Sequence, residues 1–255
     1  MKAIILGSGT STGVPRVGND WGLCDPEEPR NRRSRASVLV ESDDGSRLLI
    51  DTSTDMRSQL LDNAIDRIDG VFWTHEHADH CHGIDDLRVL RYGRAGPIPG
   101  YAHSEIVRIL RQRFGYVFAG QHGYPTIVSL ESLDRLRICA GIGVSSVQMP
   151  HGHGDTTGFR FDCDGKSVVY ATDFNAVTKP MVDAFYKCDV LITDCLRREP
   201  HPTHCHLEMA LELSAATRAR ITVLTHLDKS MDYATLNREI PDGVFVAYDG
   251  MEIVA

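Results

Sequence analysis

The chain has 255 residues, 42% of them apolar and 24% charged, enough to bury a substantial core as one large domain or two small ones. Its formal net charge of -8 argues against a protein that grips long nucleic acid by neutralising phosphates, but not against a small phosphorylated substrate. Seven cysteines without a CxxC pair, no apolar run long enough to span a bilayer and no signal peptide predict a cytoplasmic protein with reduced thiols and no membrane partner.

Residues 3–6, 36–41 and 48–51 are predicted strands, the last two joined by the Asp43-Asp44-Gly45 turn. Residues 54–63 have helical spacing, with Met56, Leu60 and Leu61 on one face. The apolar Gly70-Val71-Phe72-Trp73 predicts a strand that runs into Thr74-His75-Glu76-His77-Ala78-Asp79-His80. The stretches 93–100 and 115–125 read as loops, and the second, which carries His122, reads as a connection. Between them Ser104 caps a helix predicted to reach about Phe114. Strands follow at 144–149, 158–162 and 167–171, and Pro180 opens a helix at a favoured first-turn position. Then come a strand at 190–193, a helix at 206–216 and a strand at 221–225. Two runs of strands, each followed by helices, predict an α/β fold with two sheets packed face to face and helices outside.

The run from His75 to His80 sets three imidazoles and the Asp79 carboxylate at one strand tip. Such a cluster offers nitrogen and oxygen donors with room left for water and substrate, as a hydrolytic metal site requires. Matching partners follow downstream. His151 and His153 come after a strand ending at Pro150, Asp173 ends the strand Val168-Val169-Tyr170-Ala171-Thr172, and His226 ends Ile221-Thr222-Val223-Leu224-Thr225. Four strand tips that end in histidine or aspartate point to one metal site, whereas His82 or His103 alone carries no such weight. Histidine and carboxylate donors suit zinc, manganese or iron. Asp51, at an earlier tip, suits either orientation of a ligand imidazole or capping of the Thr52-Ser53-Thr54 turn. Arg30, Arg32, Arg33 and Arg35 read as a solvated basic loop, with a second substrate phosphate as the alternative.

These motifs resemble the metallo-β-lactamase superfamily over essentially the whole length. Within it they are most similar to the cyclic-phosphate phosphodiesterases of phosphonate breakdown. The supporting segments are Gly7-Ser8-Gly9-Thr10-Ser11-Thr12-Gly13-Val14-Pro15, Pro29-Arg30-Asn31-Arg32-Arg33, Leu49-Ile50-Asp51-Thr52-Ser53, Thr203-His204-Cys205-His206-Leu207 and Asp249-Gly250-Met251-Glu252-Ile253. The resemblance implies one domain over residues 1–255, a four-layer αββα sandwich, and two divalent ions, manganese or zinc or else iron. His75, His77 and His151 would hold the first ion, Asp79, His80 and His226 the second, and Asp173 would bridge them. His151 is taken over His153 because the family spacing puts the ligand seven residues before Gly158-Phe159.

The implied activity is hydrolysis of small, cyclic phosphodiesters by in-line attack of activated water. His204, oriented by Asp194, would protonate the leaving group, and Asp79 counts among the catalytic groups; His206 competes with His204 for that role. A tRNA 3′-processing nuclease and a glyoxalase II-like thioesterase are the alternatives. The nuclease needs a basic arm that is not evident, and the thioesterase shares the ligand set but not the segments around Gly7 and His204. True β-lactamases place a cysteine where Asp173 stands, and flavodiiron proteins a glutamate where His77 stands. Phosphodiesterases of this type often carry a structural zinc on an early cysteine cluster and a late histidine. Only Cys24 and Lys229 stand at those places, so no structural zinc is expected. The expected partners are a small phosphorylated substrate and, since relatives tend to dimerise, a second copy of the chain.

Overall fold

The computed structural model describes residues 1–120 and 123–255. Strands β1 (Lys2–Gly7), β2 (Ser37–Glu41), β3 (Arg47–Ile50), β4 (Gly70–Phe72), β5 (Ile98–Ala102) and β6 (Val128–Ser132) form one sheet. Strands β7 (Ile138–Cys139), β8 (Ile142–His151), β9 (Gly154–Cys163), β10 (Lys166–Ala171), β11 (Val190–Asp194), β12 (Ile221–Thr225) and β13 (Val244–Val246) form a second, in the order β13-β12-β11-β10-β9-β8-β7. The last strand, β14 (Glu252–Val254), returns to the first sheet beside β1, giving the order β14-β1-β2-β3-β4-β5-β6. Each sheet is antiparallel in one half and parallel in the other, from β3 to β6 and from β10 to β13.

Strand alternation builds the four layers. In β1 to β4, Ile5, Val38, Val40, Leu48, Ile50 and Phe72 face the second sheet, where Phe159, Phe161, Val168, Tyr170, Val190, Ile192 and Val223 meet them. The intervening Ile4, Leu6, Leu39, Leu49, Val71 and Trp73 pack outward against α1 (Met56–Asp62), the short α2 (Ala78–Cys81), α3 (Leu87–Arg91), α4 (Ser104–Arg113) and α5 (Gly115–Ala119). On the other side Val169, Ala171, Leu191 and Leu224 pack against α6 (Lys179–Phe185), α7 (Leu207–Thr217) and α8 (Tyr233–Glu239). Sheets covered on both faces favour near-continuous apolar strands, as these are. The fold is therefore the αββα sandwich.

Several sequence expectations need correction. Stretch 93–100 is not all loop, because β5 begins at Ile98. Pro99 and Gly100 hide it, yet glycine is required there: a Cβ on Gly100 would lie 2.4 Å from Val128 Cγ1. Residues 115–119 of the second expected loop form α5, and His122 lies outside the described residues. Leu61 does not share the buried face of Met56 and Leu60 but is 63% exposed. Ser104 is the first residue of α4 rather than its cap, which is His103. The short strands β6, β7, β13 and β14 and helices α3 and α8 have no counterpart in the sequence reading.

Candidate metal centre

The parallel strands of both sheets end on the same edge, and their tips carry the polar cluster. His75 and His77 follow β4, Asp79 and His80 open α2, His151 ends β8, Asp173 follows β10, Asp194 ends β11 and His226 follows β12. Asp51, Asp173 and His226 have positive φ of 64°, 61° and 60°. Non-glycine residues in this left-handed region concentrate where a side chain must be aimed at a particular point.

The structure brings every expected ligand together. Ligand atoms lie within 4.8 Å of one another in the groups His75–His77–His151, His75–His80–Asp173 and Asp79–His80–His226, and also in His151–Asp173–His204 and Asp194–His204–His226. Asp173 sits at the centre. Its Oδ2 is 3.3 Å from His80 Nε2, and its Oδ1 is 3.7 Å from His226 Nε2 and 3.3 Å from His204 Nδ1. Asp79 Oδ2 is 3.2 Å from His80 Nε2 and 3.8 Å from His226 Nε2. Burial alone would raise the pKa of Asp173 and Asp79, but the surrounding imidazoles outweigh it and hold both far below the usual carboxylate range. Burial lowers the pKa of His75, leaving a neutral imidazole suited to ligation. Of the two candidates on the β8–β9 hairpin, His151 joins the cluster, its ring 5.4 Å from that of His75. His153 is exposed at the turn.

The fit to divalent cations rests on orphaned atoms. Nε2 of His75, of His80 and of His226 is buried with no hydrogen-bond partner. Buried polar nitrogens are rarely left so, unless an ion or water completes them. His226 Nδ1 is unpartnered as well, but the Nδ1 atoms of the other rings are used, that of His75 by the Thr74 hydroxyl at 2.9 Å. His80 Nδ1 lies 2.7 Å from Asp51 Oδ2, and His151 Nδ1 2.6 Å from the Thr203 carbonyl. An oxygen that only accepts fixes the proton on Nδ1 and leaves Nε2 as the donor pair for a metal.

Asp51 resolves in favour of orientation rather than capping. Its carboxylate accepts from the Thr74 amide at 2.8 Å and the Thr74 hydroxyl at 2.9 Å as well as facing His80. The cap of the following turn is Ser53, whose hydroxyl accepts from the Asp55 amide. Asp51→Ala is therefore expected to weaken metal binding about 10–100-fold with little change in fold, measured by competition with a chromophoric chelator. Unchanged affinity would remove Asp51 from the centre.

Asp194 faces two imidazoles, His204 Nδ1 at 3.3 Å and His226 Nδ1 at 3.4 Å. His204 stacks on His226, ring centroids 5.0 Å apart, and keeps 17% of its side chain exposed. His206, its competitor, is the N-cap of α7. The cluster opens to solvent in a cleft of about 440 Å³ lined by His75, His77, His151, His153, Asp155 and Thr203 among others. A larger cavity of about 610 Å³ lies beside α1 and includes Arg16, Arg32, Arg33 and Arg35 but none of the clustered ligands. The basic run is largely occupied within the chain. Arg30 pairs with Glu28, Arg32 lies over the Trp21 ring, Arg35 pairs with Asp55 and Arg33 is buried.

The place where the resembled phosphodiesterases often carry a structural zinc, at which none was expected in this chain, holds two cations. Lys229 pairs with Asp20, and the Arg33 guanidinium, 2% exposed, lies 3.9 Å from Cys24 Sγ. Arg33 also donates to the carbonyls of Met231 at 2.7 Å and Asp228 at 3.3 Å. Such a site repels a further cation and offers one thiol, whose pKa burial raises, so its residues do not fit zinc. Sequence reasoning missed Thr203, which acts through its backbone carbonyl and so leaves no residue-type signal, and Thr74 as the partner of Asp51.

Two sheets enclosed by helices, with histidines and aspartates converging from their strand ends, define a metallo-β-lactamase-type domain. The chain belongs to that superfamily: residues 46–227 match the model of the β-lactamase superfamily domain. It is 32% identical over 269 aligned residues to an octanoyltransferase of Porphyromonas gingivalis, a match that takes in the whole of this chain but 51% of that protein, so the chain spans about half the length of this relative. Among solved structures it is similar to a diphosphatase of the PhnP family, with 35% identity, a TM-score of 0.89 and coverage of 99% and 97% of the two chains. It also shares its fold with zinc-bound PqqB of Methylobacterium extorquens, at 21% identity, TM-score 0.78 and full coverage of both chains. No helix among the described residues is long and apolar enough to cross a membrane.

Proposed function

We propose that the chain is a metal-dependent phosphodiesterase acting on small phosphodiesters, cyclic ones included. The observation that carries this reading is Asp173, buried between His80, His226 and His204, with two histidine-rich ligand groups on either side. In it, His75, His77 and His151 would hold one divalent ion and Asp79, His80 and His226 a second, with Asp173 as the ligand that would serve both. Two such ions, when bound, activate water and neutralise charge on phosphoryl oxygens. Manganese, zinc and iron all suit these donors.

The chain's own groups do the rest. Asp51 and the Thr203 carbonyl keep His80 and His151 in the tautomers that ligate. Asp194 holds His204 by Nδ1, which leaves Nε2 to deliver a proton to the departing oxygen. The diphosphatase named among the similar structures, at 35% identity, supports chemistry at phosphorus. Titration of metal-free protein with manganese or zinc should reach two ions per chain and confer hydrolysis of bis-p-nitrophenyl phosphate. Fewer than two ions with no hydrolysis would sink the reading.

A further inference from the structure

Residues 200–204 lie between β11 and α7 in neither helix nor strand, yet they carry groups on which the centre depends. The Thr203 carbonyl faces His151 Nδ1 at 2.6 Å, and His204 Nδ1 faces Asp194 Oδ2 at 3.3 Å. The base of this loop is tied to the end of β11. The Cys205 amide donates to Asp194 Oδ2 at 3.2 Å, and the Leu196 amide donates to the Cys205 carbonyl at 2.9 Å. The tip is more open: His201, Thr203 and His204 are half-buried and Pro202 is exposed. The Thr203 amide and hydroxyl lie 3.3 and 3.2 Å from His201 Nδ1, which shapes the tip without placing it.

Asn175 supplies the placing contact. Its side chain donates from Nδ2 to the Pro202 carbonyl at 2.6 Å, and its backbone N–H donates to the Pro150 carbonyl at 2.9 Å. The acceptor at the tip is a carbonyl, so only the NH2 side of the carboxamide suits it. Asn175 stands two residues after Asp173, and Pro150 stands directly before His151. One residue thereby ties together the end of β8, the segment after β10 and the tip of the His204 loop. The packing beside this tie is close. Gly152 follows His151 at a φ of 63°, and a Cβ there would lie 2.9 Å from Thr203 Cγ2. The rings of His151 and His204 have centroids 4.9 Å apart, so a shift of the tip reaches both.

We propose that Asn175 is a positioning residue. By holding the Pro202 carbonyl it keeps the Thr203 carbonyl on His151 and His204 in place beside Asp194 and His226. Its effect through His204 rests on the phosphodiesterase reading; its effect through His151 needs only the ligand assignment. Asn175→Ala removes the side-chain donor and keeps the backbone bond to Pro150. In competition with a chromophoric chelator it should weaken one of two bound manganese ions about 3–10-fold and leave the other unchanged. On metal-loaded protein it should slow a phosphodiester with an alkyl leaving group about tenfold or more, and a p-nitrophenyl ester by less than about threefold. Asn175→Gln, which keeps the donor, should recover part of both losses. Added to His204→Ala, Asn175→Ala should cost the alkyl ester no more than about twofold further, because the group it places is already gone. Unchanged metal affinity, or full additivity with His204→Ala, would overturn the positioning role even if phosphodiesters are hydrolysed. A loss of metal affinity that Asn175→Gln restores, in a protein that hydrolyses neither ester, would uphold it and remove the phosphodiesterase reading instead.

Discussion

Asp173→Ala is expected to bind no more than one divalent ion per chain and to lose activity on bis-p-nitrophenyl phosphate by about 10³-fold or more. The carboxylate lies 3.3 Å from His80 Nε2 and 3.7 Å from His226 Nε2, and its ligand atom groups with those of His75 and His151 as well. Among the described residues it is the carboxylate whose oxygens lie near members of both ligand groups. Its loss removes a donor from each ion and the negative charge that keeps two cations close. The effect should also reach the protons. With Asp173 gone, the pull that raises the pKa of His80 and His226 weakens, and these buried rings should titrate lower. Asp173→Asn separates shape from charge: it fills the same space and keeps one oxygen donor, so it should retain one ion more tightly than the alanine variant. Mass spectrometry under native conditions gives the ion count, and circular dichroism checks the fold. Two ions retained by Asp173→Ala would remove the bridging role.

The same residues show why the site is more legible than the fold. His75, Asp173 and His226 each follow an apolar run that ends abruptly, so strand tips and donors are read together, and Thr74 to His80 needs no tertiary knowledge. What escapes is whatever depends on partners far along the chain. Strand β14 has three residues and exists because β1 pairs with it, some 250 residues away. Strand β5 reads as loop because its proline and glycine are local turn signals, while the cause of Gly100 is the Val128 side chain of the next strand. The left-handed backbone at Asp51, Asp173 and His226 has no signature either, since a glycine would announce it and an aspartate or histidine does not. The burial of Arg33 is of this kind too. Four arginines in six residues look solvated, yet one of them turns inward to bind carbonyls of the segment that follows His226.

His204→Ala is expected to slow an ester with an alkyl leaving group about 10²–10⁴-fold, and a p-nitrophenyl ester by less than about tenfold. The reason is the charge on the departing oxygen. An alkoxide cannot leave unprotonated at neutral pH, whereas p-nitrophenolate leaves without help. His204 is placed for that donation: partly exposed, next to Thr203 of the cleft wall, stacked on His226, and held by Nδ1 against Asp194 Oδ2 at 3.3 Å. Burial would raise the pKa of Asp194, but its hydrogen bond with His204 and the His226 imidazole facing it prevail and hold it below the usual carboxylate range, so it can accept the proton of His204 Nδ1. A rival role is visible in the same geometry, because His204 Nδ1 also lies 3.3 Å from Asp173 Oδ1 and groups with His151 and Asp173 as a set that could take an ion. The two roles separate cleanly. A proton donor can be removed without changing the ion count, and its loss shows in the dependence of rate on leaving group. A ligand cannot be removed without loss of metal, and its loss slows both esters alike. Asp194→Asn adds a third measure: it should carry part of the leaving-group effect of His204→Ala and also weaken the metal held by His226, since one carboxylate orients both rings.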